Sequence, residues 1–97
     1  MHIYLTAFIK AAPGKEAALK DFLLNMVSES KKEAACLRYD LQEEVGQPGS
    51  FIFHELWESE EGLTAHNSTP HIKAFAAEAP NLLGAPVQII KGHLVTK

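Results

Sequence analysis

Apolar positions along the chain switch between a period of two and a period near 3.6, and the switches mark the elements. Over Ile3 to Lys10, Ile3, Leu5, Ala7 and Ile9 share one parity and Tyr4, Thr6 and Phe8 the other, which predicts a β-strand. Its second face is also largely apolar, so both faces are expected to be covered. After the turn Ala11-Ala12-Pro13-Gly14, a helix is predicted from about Lys15 to Lys32. Leu19, Phe22, Leu23, Met26 and Val27 fall on one stripe of it, at i, i+3, i+4, i+7 and i+8. Glu16 near its start and Lys31-Lys32 at its end suit the helix dipole.

Cys36 to Glu44 alternates again, with Leu37, Tyr39 and Leu41 against Arg38, Asp40 and Gln42. Gly46-Gln47-Pro48-Gly49 then predicts a hairpin loop into a third strand, Phe51 to Glu58. Phe51, Phe53, Glu55 and Trp57 share one parity of that strand. Ser59 is placed to cap a helix beginning near Glu60. Pro70 cannot sit in a helix interior but fits a first turn. The prediction is a short helix to about Asn67, a restart, and a second piece through Glu78. Ala79 to Pro86 reads as a loop whose Leu82-Leu83 pair lies over a pocket. Val87 to Thr96 is the predicted last strand.

The order β-α-β-β-α-β is the ferredoxin-like α+β arrangement: a four-stranded antiparallel sheet with two helices on one face. The other face would carry Tyr4, Phe8 and several aliphatic side chains. A bare apolar patch of that extent calls for a partner, and a second copy packed sheet against sheet would cover it.

The 97 residues read as one domain, 1–97, with a modest core of its own. At 46% apolar and 22% charged residues the mixture is that of an ordinary soluble domain. A net charge of -3 argues against a nucleic-acid partner. No apolar run approaches a membrane span, and Met1-His2-Ile3-Tyr4 does not read as a signal peptide. The single Cys36 excludes an intrachain disulfide and fits a reducing cytoplasm.

Candidate chemistry gathers between Phe51 and Phe75, which holds the only Trp and three of the five His. Glu55 lies in an apolar strand and needs a partner. His66, about two turns into the next helix, is the expected one, with the carboxylate fixing the imidazole tautomer and favouring its protonated form. The pair reads either as a proton-transfer site or as a hydrogen bond tying strand to helix. Trp57, Phe51 and Phe53 can wall an aromatic site or pack a core. Tyr39 can donate a phenolic hydrogen bond to a substrate oxygen. His66 and His71 are five apart and do not share a helix face. No tight ligand motif is present, so neither metal nor organic cofactor is expected. Nucleophile-elbow, phosphate-loop and dinucleotide motifs are all missing.

The stretch HELWESEEGLTAHNSTPHIKAF, with Glu55, Trp57, His66, Thr69 and His71 in place, and the upstream Cys36-Leu37-Arg38-Tyr39, resembles the antibiotic biosynthesis monooxygenase (ABM) family. The resemblance spans nearly the whole chain. It implies a homodimeric α+β barrel that oxidises an electron-rich aromatic, a quinol or anthrone, with molecular oxygen and without metal, flavin or haem. It further implies His66, supported by Glu55, as the base or its orienter. Trp57, Phe53, Tyr39, His71, Phe22 and Met26 would contact the substrate. Haem-degrading relatives carry an Asn on the first strand and a His late in the second helix, and neither is present here. Two other readings stay open: a dimer that only binds a small ligand, and an isomerase of the same superfamily.

Overall fold

A computed structural model describes residues 1–96. Seven elements follow in order: β1 (Ile3–Lys10), α1 (Glu16–Ser30), β2 (Cys36–Glu43), β3 (Ser50–Trp57), α2 (Glu60–Asn67), α3 (Pro70–Leu82) and β4 (Gln88–Gly92). The strands form one antiparallel sheet in the order β2-β3-β1-β4, the ferredoxin-like topology. Leu5, Ala7 and Ile9 of β1 and Phe51, Phe53, Glu55 and Trp57 of β3 point to the helix side and are buried there with Leu19, Leu23 and Met26 of α1. Tyr4, Phe8, Ile52, Leu56 and Ile90 occupy the opposite face, where Tyr4 stands across from Leu56 and Phe8 across from Ile52.

Three details depart from the sequence reading. The pairing of β2 shifts between Cys36, opposite Trp57, and Arg38, opposite Leu56, leaving Leu37 as the extra residue. Leu37 is therefore exposed and does not share the buried face of Tyr39. As the sequence predicted, the helical half after β3 is a short helix and a restart, broken at Ser68 and Thr69, with Pro70 at the start of α3. α3, however, runs past Glu78 to Leu82 and contains Pro80. Its end is tied to β1 by Ala12 N–H donating to the Leu82 carbonyl at 2.8 Å and Gly84 N–H donating to that of Lys10 at 2.9 Å. Leu82 is thus a core residue at the end of a helix anchored on β1, not part of a loop lying over a pocket. Finally, β4 stops at Gly92, not Thr96, because Gly92 already pairs with Tyr4 and β1 begins at Ile3.

Gly62 matters most for the site. A Cβ there would overlap that of Ala35. Its absence lets α2 lie directly on the turn between α1 and β2, where Glu58 N–H also donates to the Ala35 carbonyl at 2.9 Å. That turn carries Glu33.

Candidate active site

Two stretches distant in sequence, the α1–β2 turn and the junction of α2 and α3, meet here. The α1–β2 turn supplies Glu33, held by its N–H bond to the Ser30 carbonyl (3.0 Å) and by its own carbonyl accepting from Cys36 N–H (3.1 Å). The last turn of α2 supplies His66, and the first turn of α3 supplies His71. His66 Nδ1 and His71 Nε2 both donate to one oxygen, Glu33 Oε2, at 2.7 and 2.9 Å. Thr69 sets the distance between the two imidazoles. Its hydroxyl donates to the His66 carbonyl at 2.7 Å, accepts from Ile72 N–H at 3.4 Å as the cap of α3, and lies 3.2 Å from His71 Nε2.

The His66 ring is nearly inaccessible, with 4% of its side chain exposed. It packs on Trp57 with ring centroids 4.3 Å apart and meets Tyr39 edge-on at 5.6 Å. Burial pushes its pKa below the usual imidazole range; the bond to Glu33 and the Glu33 charge oppose that shift without reversing it. His66 is therefore neutral at pH 7. With its proton on Nδ1, bonded to Glu33, Nε2 keeps a free lone pair.

Glu55 stands on the same side of the sheet but makes a different bond. Its Oε1 accepts from the Trp57 indole Nε1 at 2.9 Å. Burial raises its pKa to about 7; the Trp57 bond lowers it and the charge of Glu33 adds to the rise. The Glu55–His66 ion pair expected from the sequence is thus replaced by two separate pairs, Trp57–Glu55 and His66–Glu33. His66 is also held neutral, where the expected pairing favoured its protonated form. Tyr39 is buried, and desolvation together with the Glu55 charge drives its hydroxyl far above the ordinary phenol range, so it stays a neutral donor. Cys36 is pushed up to about 11 by burial and by the charges of Glu33 and Glu55, so it is a thiol and no nucleophile.

A cavity of about 110 Å³ opens between these groups and the helices. Leu5, Ala7, Met26, Tyr39, Phe53, Leu63, Ile72, Phe75 and Ile89 supply most of its wall, and Glu55 and His66 are its only ionisable acid and base. Of the residues expected to contact substrate, Tyr39, Phe53 and Met26 line it. Trp57 lies behind it, fully buried, bonded to Glu55 and packed on the His66 ring. Phe22 packs against Phe75 with centroids 6.0 Å apart and does not reach the cavity. His71 stands beyond His66, on the far side of Glu33. A larger depression of about 480 Å³, near Phe8, Ile52 and Pro86, has only the exposed Lys10 and Glu44 as ionisable groups. The buried acid and base meet in the smaller space.

The sequence pattern of the antibiotic biosynthesis monooxygenase family matches residues 2–78. The chain belongs to this family. A Bacillus subtilis relative, named "Putative monooxygenase YcnE", is 34% identical over 92 residues, covering 95% of this chain and 97% of its own. A Mycobacterium tuberculosis relative, named "Putative monooxygenase Rv0793", is 30% identical over 77 residues, 79% of this chain and 75% of that one. The crystal structure of PA3566 from Pseudomonas aeruginosa superposes with a TM-score of 0.93 at 33% identity, over 98% of this chain and 95% of that one. In this ABM chain the sequence motif contributed Glu55, Trp57, His66, Thr69 and His71, but it did not contain Glu33. That residue lies 33 positions from His66 in a polar turn, and no local pattern distinguishes it from its charged neighbours Lys31 and Lys32.

Proposed function

We propose that this ABM protein is a monooxygenase that oxidises a small quinol with dioxygen, holding the ring in the cavity between the sheet and α2–α3. The observation that carries this reading is the arrangement of two titratable groups in one otherwise apolar wall: a neutral imidazole with a free Nε2 and a carboxylic acid whose pKa is raised to about 7. Environments that push two groups to such states assign an acid and a base.

His66 Nε2 takes a phenolic proton while Glu33, bonded at Nδ1, fixes the tautomer and stabilises the imidazolium. The phenolate passes one electron to dioxygen. The resulting superoxide and ring radical combine at a ring carbon, and Glu55 in its acid form protonates the peroxide. Loss of water leaves one oxygen atom on the ring, so quinol and dioxygen become hydroxyquinone and water. No organic or metal centre enters the sum. An apolar cavity of about 150 Å³ holds benzene, so a space near 110 Å³ counts against the three fused rings of an anthrone. A phosphorylated isomerase substrate is disfavoured. No Lys or Arg lines the cavity, and Arg38 is exposed on β2 in an ion pair with Asp40.

The reading includes a homodimer joined through the sheet faces. Phe8 and Ile90 remain 40% and 61% exposed on a face that carries Tyr4, Ile52 and Leu56 as well and that no helix covers. Oxygen uptake measured with a panel of single-ring and fused-ring quinols tests the activity. Uptake with single-ring substrates supports the reading, and none with any of the panel refutes it.

A further inference from the structure

The Glu33–His66–His71 cluster is more than a support for one imidazole. Two imidazole nitrogens and a carboxylate oxygen, all within 4.8 Å of one another, converge from three rigid segments. Two His and one carboxylate are a common ligand set for Zn²⁺ and other first-row divalent ions that keep open coordination positions. We propose that this cluster is a divalent transition-metal site, with Zn²⁺ as its simplest occupant. When occupied, it switches off His66 as a base.

The geometry is close to what a metal needs. Ligand atoms bound to one tetrahedral Zn²⁺ at about 2.0–2.1 Å stand roughly 3.3 Å apart. The two separations to Glu33 Oε2, 2.7 and 2.9 Å, would have to open by about half an ångström, and the two imidazole nitrogens, within 4.8 Å of each other, would have to settle at the same spacing, both by side-chain torsions. The shell around the ligands is already built. Trp57 and Tyr39 hold the His66 ring, Thr69 sets its distance from His71, and the turn bonds at Ser30 and Cys36 hold Glu33. Entry is from outside the cavity, since His71 and Glu33 keep 13% and 17% of their side chains exposed while His66 is closed off.

The consequence follows from proton counting. In the metal-free cluster His66 carries its proton on Nδ1 and shares it with Glu33. A metal takes the Nδ1 lone pair, so the proton of the neutral ring moves to Nε2. The nitrogen left for the cavity then donates and no longer accepts. Hydrogen-bonded network and metal site are therefore alternative states of the same three side chains. The binding part of this proposal stands by itself; the inhibition part rests on His66 being the base of the proposed oxidation.

The test begins with metal-depleted wild-type protein titrated with Zn²⁺ and followed by histidine-ring nitrogen NMR. The expected result is one Zn²⁺ per chain, bound more tightly than about 100 µM. The His66 and His71 ring signals should move, and the proton of His66 should pass from Nδ1 to Nε2. Glu33→Gln and His71→Asn should each weaken binding by about tenfold or more, whereas His54→Asn, on the outer sheet face beside Gln42, should leave it unchanged. Unmoved His66 and His71 signals at saturating Zn²⁺ would overturn the site, and so would binding abolished by His54→Asn alone. Activity is read separately. Zn²⁺ that binds as described yet leaves quinol oxidation intact would refute the switch and leave the site standing.

Discussion

Trp57 and Glu55, two residues apart on the helix-side face of β3, are joined by a 2.9 Å hydrogen bond from the indole Nε1 to the carboxyl Oε1. The bond explains why a strand buries a carboxyl group among Phe53, Leu63 and Met26. It satisfies one oxygen and leaves the other to carry a proton into the cavity. Trp57→Phe removes the donor and should raise the pKa of Glu55 further, readable as a shift of its carboxyl carbon titration by NMR. An unsatisfied buried acceptor costs about 1–3 kcal/mol, so denaturant unfolding should show a loss of that order.

Glu55 also gives stability a defined dependence on pH. Its folded pKa of about 7 lies above the ordinary value of 4.5, so between those values the folded chain binds more protons than the unfolded one. The contribution of Glu55 is fully present below about pH 4.5 and is lost as pH rises through about 7. The loss amounts to about 3 kcal/mol from a shift of this size. Glu55→Gln keeps an oxygen for Trp57 and cannot ionise. It should be more stable than wild type at pH 8 and should lack that decline in urea unfolding across the pH range.

Turnover should follow a bell. The rising limb reports deprotonation of His66 and lies below the usual imidazole range; the falling limb reports ionisation of Glu55 near pH 7. Glu55→Gln should lower the plateau and remove the falling limb, which is checked by kcat/KM against pH.

Glu33→Gln separates an orienting role from a structural one. The amide can still bond one imidazole but no longer stabilises an imidazolium, so kcat should fall by at least about tenfold while KM changes little. A variant equally folded by circular dichroism and equally active would make the Glu33–His66 bond purely structural.

Gly62→Ala should act on the same geometry from a distance. The added methyl meets Ala35 and pushes α2 off the turn that carries Glu33. Overpacking of this kind costs about 1–3 kcal/mol. The expected result is a lower unfolding midpoint together with lower kcat.

The dimer is tested by sedimentation at micromolar concentration. A sheet-to-sheet interface should bury more than about 1,200 Å² in total. Phe8→Glu places a charge in its middle and should give monomers.

What the sequence made legible follows from how local each cause is. Period-two alternation marked β1 and β3, and the apolar stripe from Leu19 to Val27 marked α1, because those patterns are written in adjacent residues. The cap at Ser59 and the restart at Pro70 were legible for the same reason. Leu37 misled because a one-residue shift in pairing is decided across the strand by Trp57 and Leu56. Leu82 misled because its segment is held by backbone bonds to Lys10 and Ala12, some seventy residues earlier. In the site, Glu55 and His66 stood out as polar groups in apolar surroundings. Trp57 stood out too, though not as the partner of Glu55; the partner of His66 did not, since Glu33 reaches it only through the packing of α2 on the α1–β2 turn at Gly62.

The measurement that bears most directly on the central claim is incorporation of isotopically labelled dioxygen into a single-ring quinol, followed by mass spectrometry with wild type and with folded His66→Gln. The account predicts one labelled atom in the product and one in water for wild type. The variant should turn over at least about 100-fold more slowly. Equal labelling rates for the two proteins, or wild-type product without label, would contradict it.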